Sequence, residues 1–104
     1  MSMKPETRFR LKVLDDFRRI PHCKYFAIQQ QAIVGTPDFL LCINGFFIAL
    51  ELKASEDAKV SKLQLHNIAE VIKAKGRAYV VWPQNWQATL ALLQKLAAEE
   101  SIAA

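Results

Sequence analysis

The sequence predicts an α/β domain with elements in the order α-β-β-β-α-β-α. Three observations carry this. Phe9, Val13, Phe17 and Ile20 recur at helical spacing near the start, Asn44-Gly45 sits between two apolar runs, and a short apolar strand ends at Pro83 before a second helical stripe. At 104 residues with 52% hydrophobic and 23% charged side chains, the chain has the size and balance of one globular domain spanning 1–104, with its core over about 5–98.

The first helix is expected from Pro5 to Ile20, where Leu14 joins the apolar stripe, Arg and Lys fill the other face, and Pro21 ends the pattern. Tyr25 to Ile33 reads as a strand rich in β-formers, with Gln29 and Gln31 on one face. Gly35-Thr36-Pro37-Asp38 is a turn into the hairpin formed by Phe39–Ile43 and Phe46–Lys53, because Asn-Gly supplies the two positive-φ residues that a two-residue loop needs. Ser61 and Gln64 form an S-x-x-Q box that opens a second helix, with Leu65, Ile68, Ala69 and Ile72 along one face and Gly76 as its stop. A strand from Arg77 to Trp82 follows. The last helix carries Trp86, Leu90, Leu93 and Ala97 inward and frays through Ser101 to Ala104.

Composition excludes several classes. The longest apolar stretch, 39–52, is broken at Asn44-Gly45, so no membrane span is expected. The charged opening M-S-M-K-P-E-T-R is followed by no apolar stretch or small-residue cleavage site. A cytoplasmic protein is expected, nucleoid-associated if bacterial or viral in origin. Cys23 and Cys42 form no C-x-x-C pair and read as two buried thiols. His22 and His66 read as surface or hydrogen-bonded histidines, and Trp82 and Trp86 as core or dimer contacts. The net charge of +4 is concentrated. Residues 1–24 hold Lys4, Arg8, Arg10, Lys12, Arg18, Arg19 and Lys24 against Glu6, Asp15 and Asp16. Such a surface suits a phosphate backbone, and equally a solvated helix face.

The hairpin loop sets a register in which Ile43 faces Phe46, Leu41 faces Ile48, Phe39 faces Leu50, and Asp38 falls opposite Glu51. Opposed side chains lie about 5 Å apart on one face, where like charges are destabilising. Lys53, two residues past Glu51, points to the same face. Two facing carboxylates and a lysine at the end of an apolar sheet serve neither core packing nor edge protection. A hard divalent cation would offset their repulsion, polarise a phosphodiester and acidify a water, with the lysine serving the nucleophile. Asp38 as a turn residue, and Glu51 with Lys53 as a surface pair, is the structural alternative.

G-T-P-D, twelve residues, E-L-K and then S-K-L-Q opening a helix resemble the PD-(D/E)-x-K nuclease superfamily, and among it the stand-alone VRR-NUC domains, over about Glu6 to Val81. The resemblance implies a restriction-endonuclease-like core with a mixed central sheet flanked by helices. It also implies cleavage of phosphodiester bonds with Mg²⁺ or Mn²⁺ in branched DNA such as Holliday junctions or flaps. Asp38 would take the place of the motif aspartate and Glu51 and Lys53 that of E-x-K, with Gln64 near the site and Glu6 completing the metal set with Asp38 and Glu51. Gln64 has a capping role as its alternative, and Glu6 that of a favourable first-turn charge. DNA contacts are expected from Arg8, Arg10, Lys12, Lys59 and Lys62, and a homodimer from the two-fold symmetry of a junction. A non-cleaving nucleic-acid-binding protein on this fold, and a nuclease for ordinary duplexes, are the competing functions.

Overall fold

A computed structural model describes residues 3–29 and 35–99. The order is α1 (Pro5–Phe17), β1 (Cys23–Ala27), β2 (Phe39–Ile43), β3 (Phe46–Leu52), α2 (Lys62–Lys73), β4 (Arg77–Val81) and α3 (Pro83–Ala98). The strands form one mixed sheet in the order β1-β2-β3-β4, with β2 antiparallel to both β1 and β3, and β4 parallel to β3 through the α2 crossover. Among the described residues no helix is long and apolar enough to cross a membrane.

The Asn-Gly hairpin forms as expected. Asn44 and Gly45 have φ of 51° and 87°, the two positive values that match the twist of the flanking strands. The register follows, with Ile43 opposite Phe46, Leu41 opposite Ile48 and Phe39 opposite Leu50. Asn44 also donates to the carbonyls of Leu96 at 3.2 Å and Glu99 at 2.6 Å, fastening the loop to the end of α3.

α1 and α3 cover one face of the sheet. The expected stripes meet there: Phe9, Val13 and Phe17 of α1, Trp86, Leu90 and Leu93 of α3, and Phe39, Leu41, Ile43, Ile48 and Leu50 of the hairpin are all buried. Trp86 is a core residue, and its Nε1 donates to buried Asp16 at 2.7 Å, which also accepts from Lys12 at 3.1 Å and Arg19 at 3.2 Å. Three donors keep this carboxylate charged against its burial, the largest influence on it, and the net result is a lowered pKa.

Four expectations need correction. α1 ends at Phe17, and Arg18, Arg19 and Ile20 close a tighter turn onto the carbonyls of Asp15, Asp16 and Phe17, with Ile20 still buried. β1 starts two residues early and ends at Ala27; Gln29 is exposed, and Gln31 with the rest of 30–34 lies outside the described residues. The α2 stripe Leu65, Ala69 and Ile72 is exposed, with Leu65 and Ile72 each at 53%. Gln64, Asn67, Ile68 and Val71 face the sheet instead, and the bonds made by Gln64, below, hold the helix in that rotation. Finally, Cys42 is exposed and Cys23 half-buried. Cys23 pairs with Ile43, so it shares the face of Ile43 and lies on the other side of the sheet from Cys42.

Candidate active site

The second face of the sheet carries the polar constellation. Glu51 follows Leu50 on β3, so it points away from the core toward α2, while remaining only 7% exposed. Asp38 enters the sheet beside it. Its N–H donates to the Leu50 carbonyl at 3.0 Å, its carbonyl accepts from Ile28 N–H at 2.9 Å, and its Oδ2 accepts from Leu52 N–H at 2.7 Å. The paired register of β2 and β3 ends with Phe39 opposite Leu50, and Asp38 lies just beyond it, its carboxylate close enough to Glu51 to act on that group. The expected closeness of the two carboxylates and a structural bond of the Asp38 side chain are therefore both present, although the ladder stops short of pairing Asp38 with Glu51.

Burial, and then the charge of Asp38 beside it, push the Glu51 carboxyl up to about 7, against the opposing pull of Lys53. Lys53 continues the parallel ladder through its N–H to the Val81 carbonyl at 2.8 Å, which aims its side chain along the face of Glu51. Its Nζ lies 3.8 Å from Glu51 Oε1.

Gln64 joins these groups to the helix. Its Nε2 donates to Glu51 Oε1 at 2.8 Å, and its Oε1 accepts from Lys53 Nζ at 3.1 Å and from Ser61 N–H at 3.0 Å. Ser61 Oγ in turn accepts from Gln64 N–H at 3.1 Å. The capping box and the polar cluster are thus one network, and the two roles considered for Gln64 coincide. The reach of Asn67 was not anticipated. It stands three residues after Gln64 on the same helix face and donates to the Gly35 carbonyl at 2.8 Å, tying α2 to the turn that presents Asp38. Gly35 has φ of 86°, and a Cβ there would sit 2.7 Å from Leu63, so a side chain is excluded on both counts.

Glu6 does not join the carboxylate pair. It is exposed in the first turn of α1, and among the described residues there is no group of three or more His, Cys, Asp and Glu able to hold a metal ion. Of the basic residues, Arg10 stacks its guanidinium 4.5 Å from the centre of the Phe39 ring, next in sequence to Asp38. Arg8 and Lys12 line an open cleft with Phe9 and Pro83, and Lys12 is engaged by Asp16. Lys59 and Lys62 are exposed on either side of Ser61, at the start of the helix that carries Gln64.

The chain has a restriction-endonuclease-like fold, and a carboxylate pair, a lysine and a glutamine gather at the end of its hairpin. A solved structure of a VRR_NUC domain has the same fold, at a TM-score of 0.73 over 86% of this chain and 97% of that one, with 20% identity. No protein-family model and no curated protein matches the chain.

Proposed function

We propose that the chain is a metal-dependent endodeoxyribonuclease of the PD-(D/E)-x-K type that hydrolyses phosphodiester bonds in branched DNA, a Holliday junction or a flap, and works as a homodimer. The observation that carries this reading is Glu51: a carboxyl buried to 7% exposure beside a second carboxylate, with an ammonium 3.8 Å away. That arrangement costs stability and is of the kind concentrated at functional sites.

The donor set fits a hard divalent cation. Mg²⁺ or Mn²⁺ takes one or two carboxylates and completes its shell with water and phosphate oxygens, so Asp38 and Glu51 suffice without Glu6. When bound, such an ion polarises the phosphodiester and acidifies a water. Asp38 and Glu51 hold it in this reading, and Lys53 orients the attacking water or neutralises charge developing on the phosphate. Gln64, bonded to Lys53 and Glu51 at once, sets their separation. Arg8, Arg10, Lys12, Lys59 and Lys62 supply phosphate contacts, which position DNA without reading its sequence. Two copies related by a two-fold axis match the two equivalent strands of a four-way junction.

The test is a cleavage panel of four-way junction, flap, splayed and linear duplex DNA with Mg²⁺ or Mn²⁺, repeated with Lys53→Ala. Branched substrates are cut preferentially by the wild type, and the variant retains Mn²⁺ binding by calorimetry without cleaving. Preference for linear duplex would refute the substrate assignment, and no cleavage of any DNA with either ion would refute the function.

A further inference from the structure

The sheet face that carries Asp38 and Glu51 is only half covered. α2 packs over its β4 side, while Phe26, Leu40 and Ala49 form one row across the strands and Lys24, Cys42 and Phe47 the next. Phe26 is 59% exposed and Phe47 45%, two aromatic rings open on one face of the sheet. Phe26 on edge strand β1 forms a ridge, with the Lys24 ammonium 5.2 Å from the ring centre. Beside it, a groove of about 460 Å³ runs between α2 and the sheet, lined among others by Pro37, Leu40, Phe47, Glu70, Val71 and Gly76.

Ridge and groove are complementary in kind. One is an aromatic ring bearing a cation, and the other is an apolar slot with a carboxylate on its wall. The ion-pair neighbour of Glu70 in the chain, His66 at 3.7 Å, carries charge only when protonated. A nucleic-acid strand in the groove would set its phosphates against Glu70. A single surface with both halves of a contact is what a two-fold interface between identical chains requires.

We propose that this face is the dimer interface: Phe26 of each copy enters the groove of the other, and Lys24 of each copy pairs with Glu70 of the other. The contact rests on two aromatic anchors, so it belongs at the small end of specific interfaces, with a dissociation constant on the order of micromolar. It also bears on the site. Pro37 at the groove wall directly precedes Asp38, so occupancy braces the turn that presents the carboxylate, and cleavage depends on assembly. This last step rests on the nuclease reading; the interface itself does not.

Sedimentation velocity across the micromolar range, with cleavage assayed in parallel, tests the proposal. Wild type dimerises, and Phe26→Ser weakens the dimer by about tenfold or more. Lys24→Glu and Glu70→Lys each weaken it, and together they restore it, while all variants keep the wild-type circular dichroism spectrum as folded monomers because the three side chains are exposed. A chain that stays monomeric throughout, a dimer indifferent to Phe26→Ser, or a double reversal no better than the single ones would each overturn the interface. A monomer that cuts branched DNA sinks the interface and the homodimer and leaves the nuclease activity standing. A dimer with these sensitivities that cuts no DNA does the reverse.

Discussion

Gln64 donates to Glu51 at 2.8 Å with the same amide whose oxygen accepts from Lys53 at 3.1 Å. The orientation of that amide is dictated by the helix start, because Ser61 N–H needs the oxygen on its side. Gln64→Glu separates the two jobs. A glutamate at the third helical position still accepts from Ser61 and Lys53, so the cap survives, but it sets a third carboxylate against Glu51. The expected outcome is single-turnover cleavage reduced at least about tenfold, equivalent to about 1.4 kcal/mol in the barrier, with the helix signal retained by circular dichroism. Wild-type cleavage by this variant would confine Gln64 to capping.

Stability of the metal-free chain should fall as pH rises. Burial and the neighbouring Asp38 hold the Glu51 carboxyl at about 7, above its ordinary 4.5. Between those values the folded chain keeps a proton that the unfolded chain has lost, so the folded state is favoured at the low end and the advantage disappears as pH passes through about 7. Glu51→Gln removes the titration and can still accept from Gln64. In urea unfolding at pH 5 and pH 8, wild type should lose about 1–3 kcal/mol more than the variant. Equal losses in both proteins would mean that Glu51 titrates in its usual range.

How far these features were legible in the sequence can be argued residue by residue. The Asn44-Gly45 loop sets strand register through backbone sterics, and that local rule held from Ile43–Phe46 to Phe39–Leu50 and put Lys53 near Glu51, while Asp38, one residue past the ladder, is placed beside Glu51 by its bonds to Leu50 and Leu52. The rotation of α2 was not legible, because apolar periodicity turns Leu65 and Ile72 inward whereas three hydrogen bonds on Gln64, a polar residue, turn them out. Tertiary bonding overrode the pattern. The bond from Asn67 to Gly35 and the open face around Phe26 depend on which half of the sheet α2 covers, and periodicity does not encode that choice.

DNA binding, if it rests on the basic residues, should be strongly salt-dependent, since the net charge is only +4 and the contact must come from local clusters. Arg8→Gln and Arg10→Gln should each lower the slope of log affinity against log salt by about 0.9 per lost phosphate contact, without changing sequence preference. Arg10→Gln should also cost roughly 0.5–1 kcal/mol of stability, because its guanidinium covers the Phe39 ring. Fluorescence anisotropy over a salt series reads the slopes. An unchanged slope in both variants would move the DNA surface away from α1.

Asp38 carries two roles that a pair of substitutions can separate. Its Oδ2 accepts from Leu52 N–H, a local bond that pins the strand end, and its charge raises the pKa of Glu51. Asp38→Asn keeps an acceptor for Leu52 and removes the charge, whereas Asp38→Ala removes both. The asparagine variant should therefore melt at or above wild type without metal, because the carboxylate repulsion is relieved. It should lose most of the stabilisation that added Mn²⁺ gives the wild type, and fail to cleave while still binding junction DNA. The alanine variant leaves a part-buried N–H unpaired and should lose about 1–3 kcal/mol in metal-free urea unfolding. Thermal melts of the three proteins with and without Mn²⁺ decide the matter. If asparagine lowers the metal-free melting temperature as alanine does, and both keep the wild-type response to Mn²⁺, then Asp38 is a structural turn residue and the metal assignment fails with it.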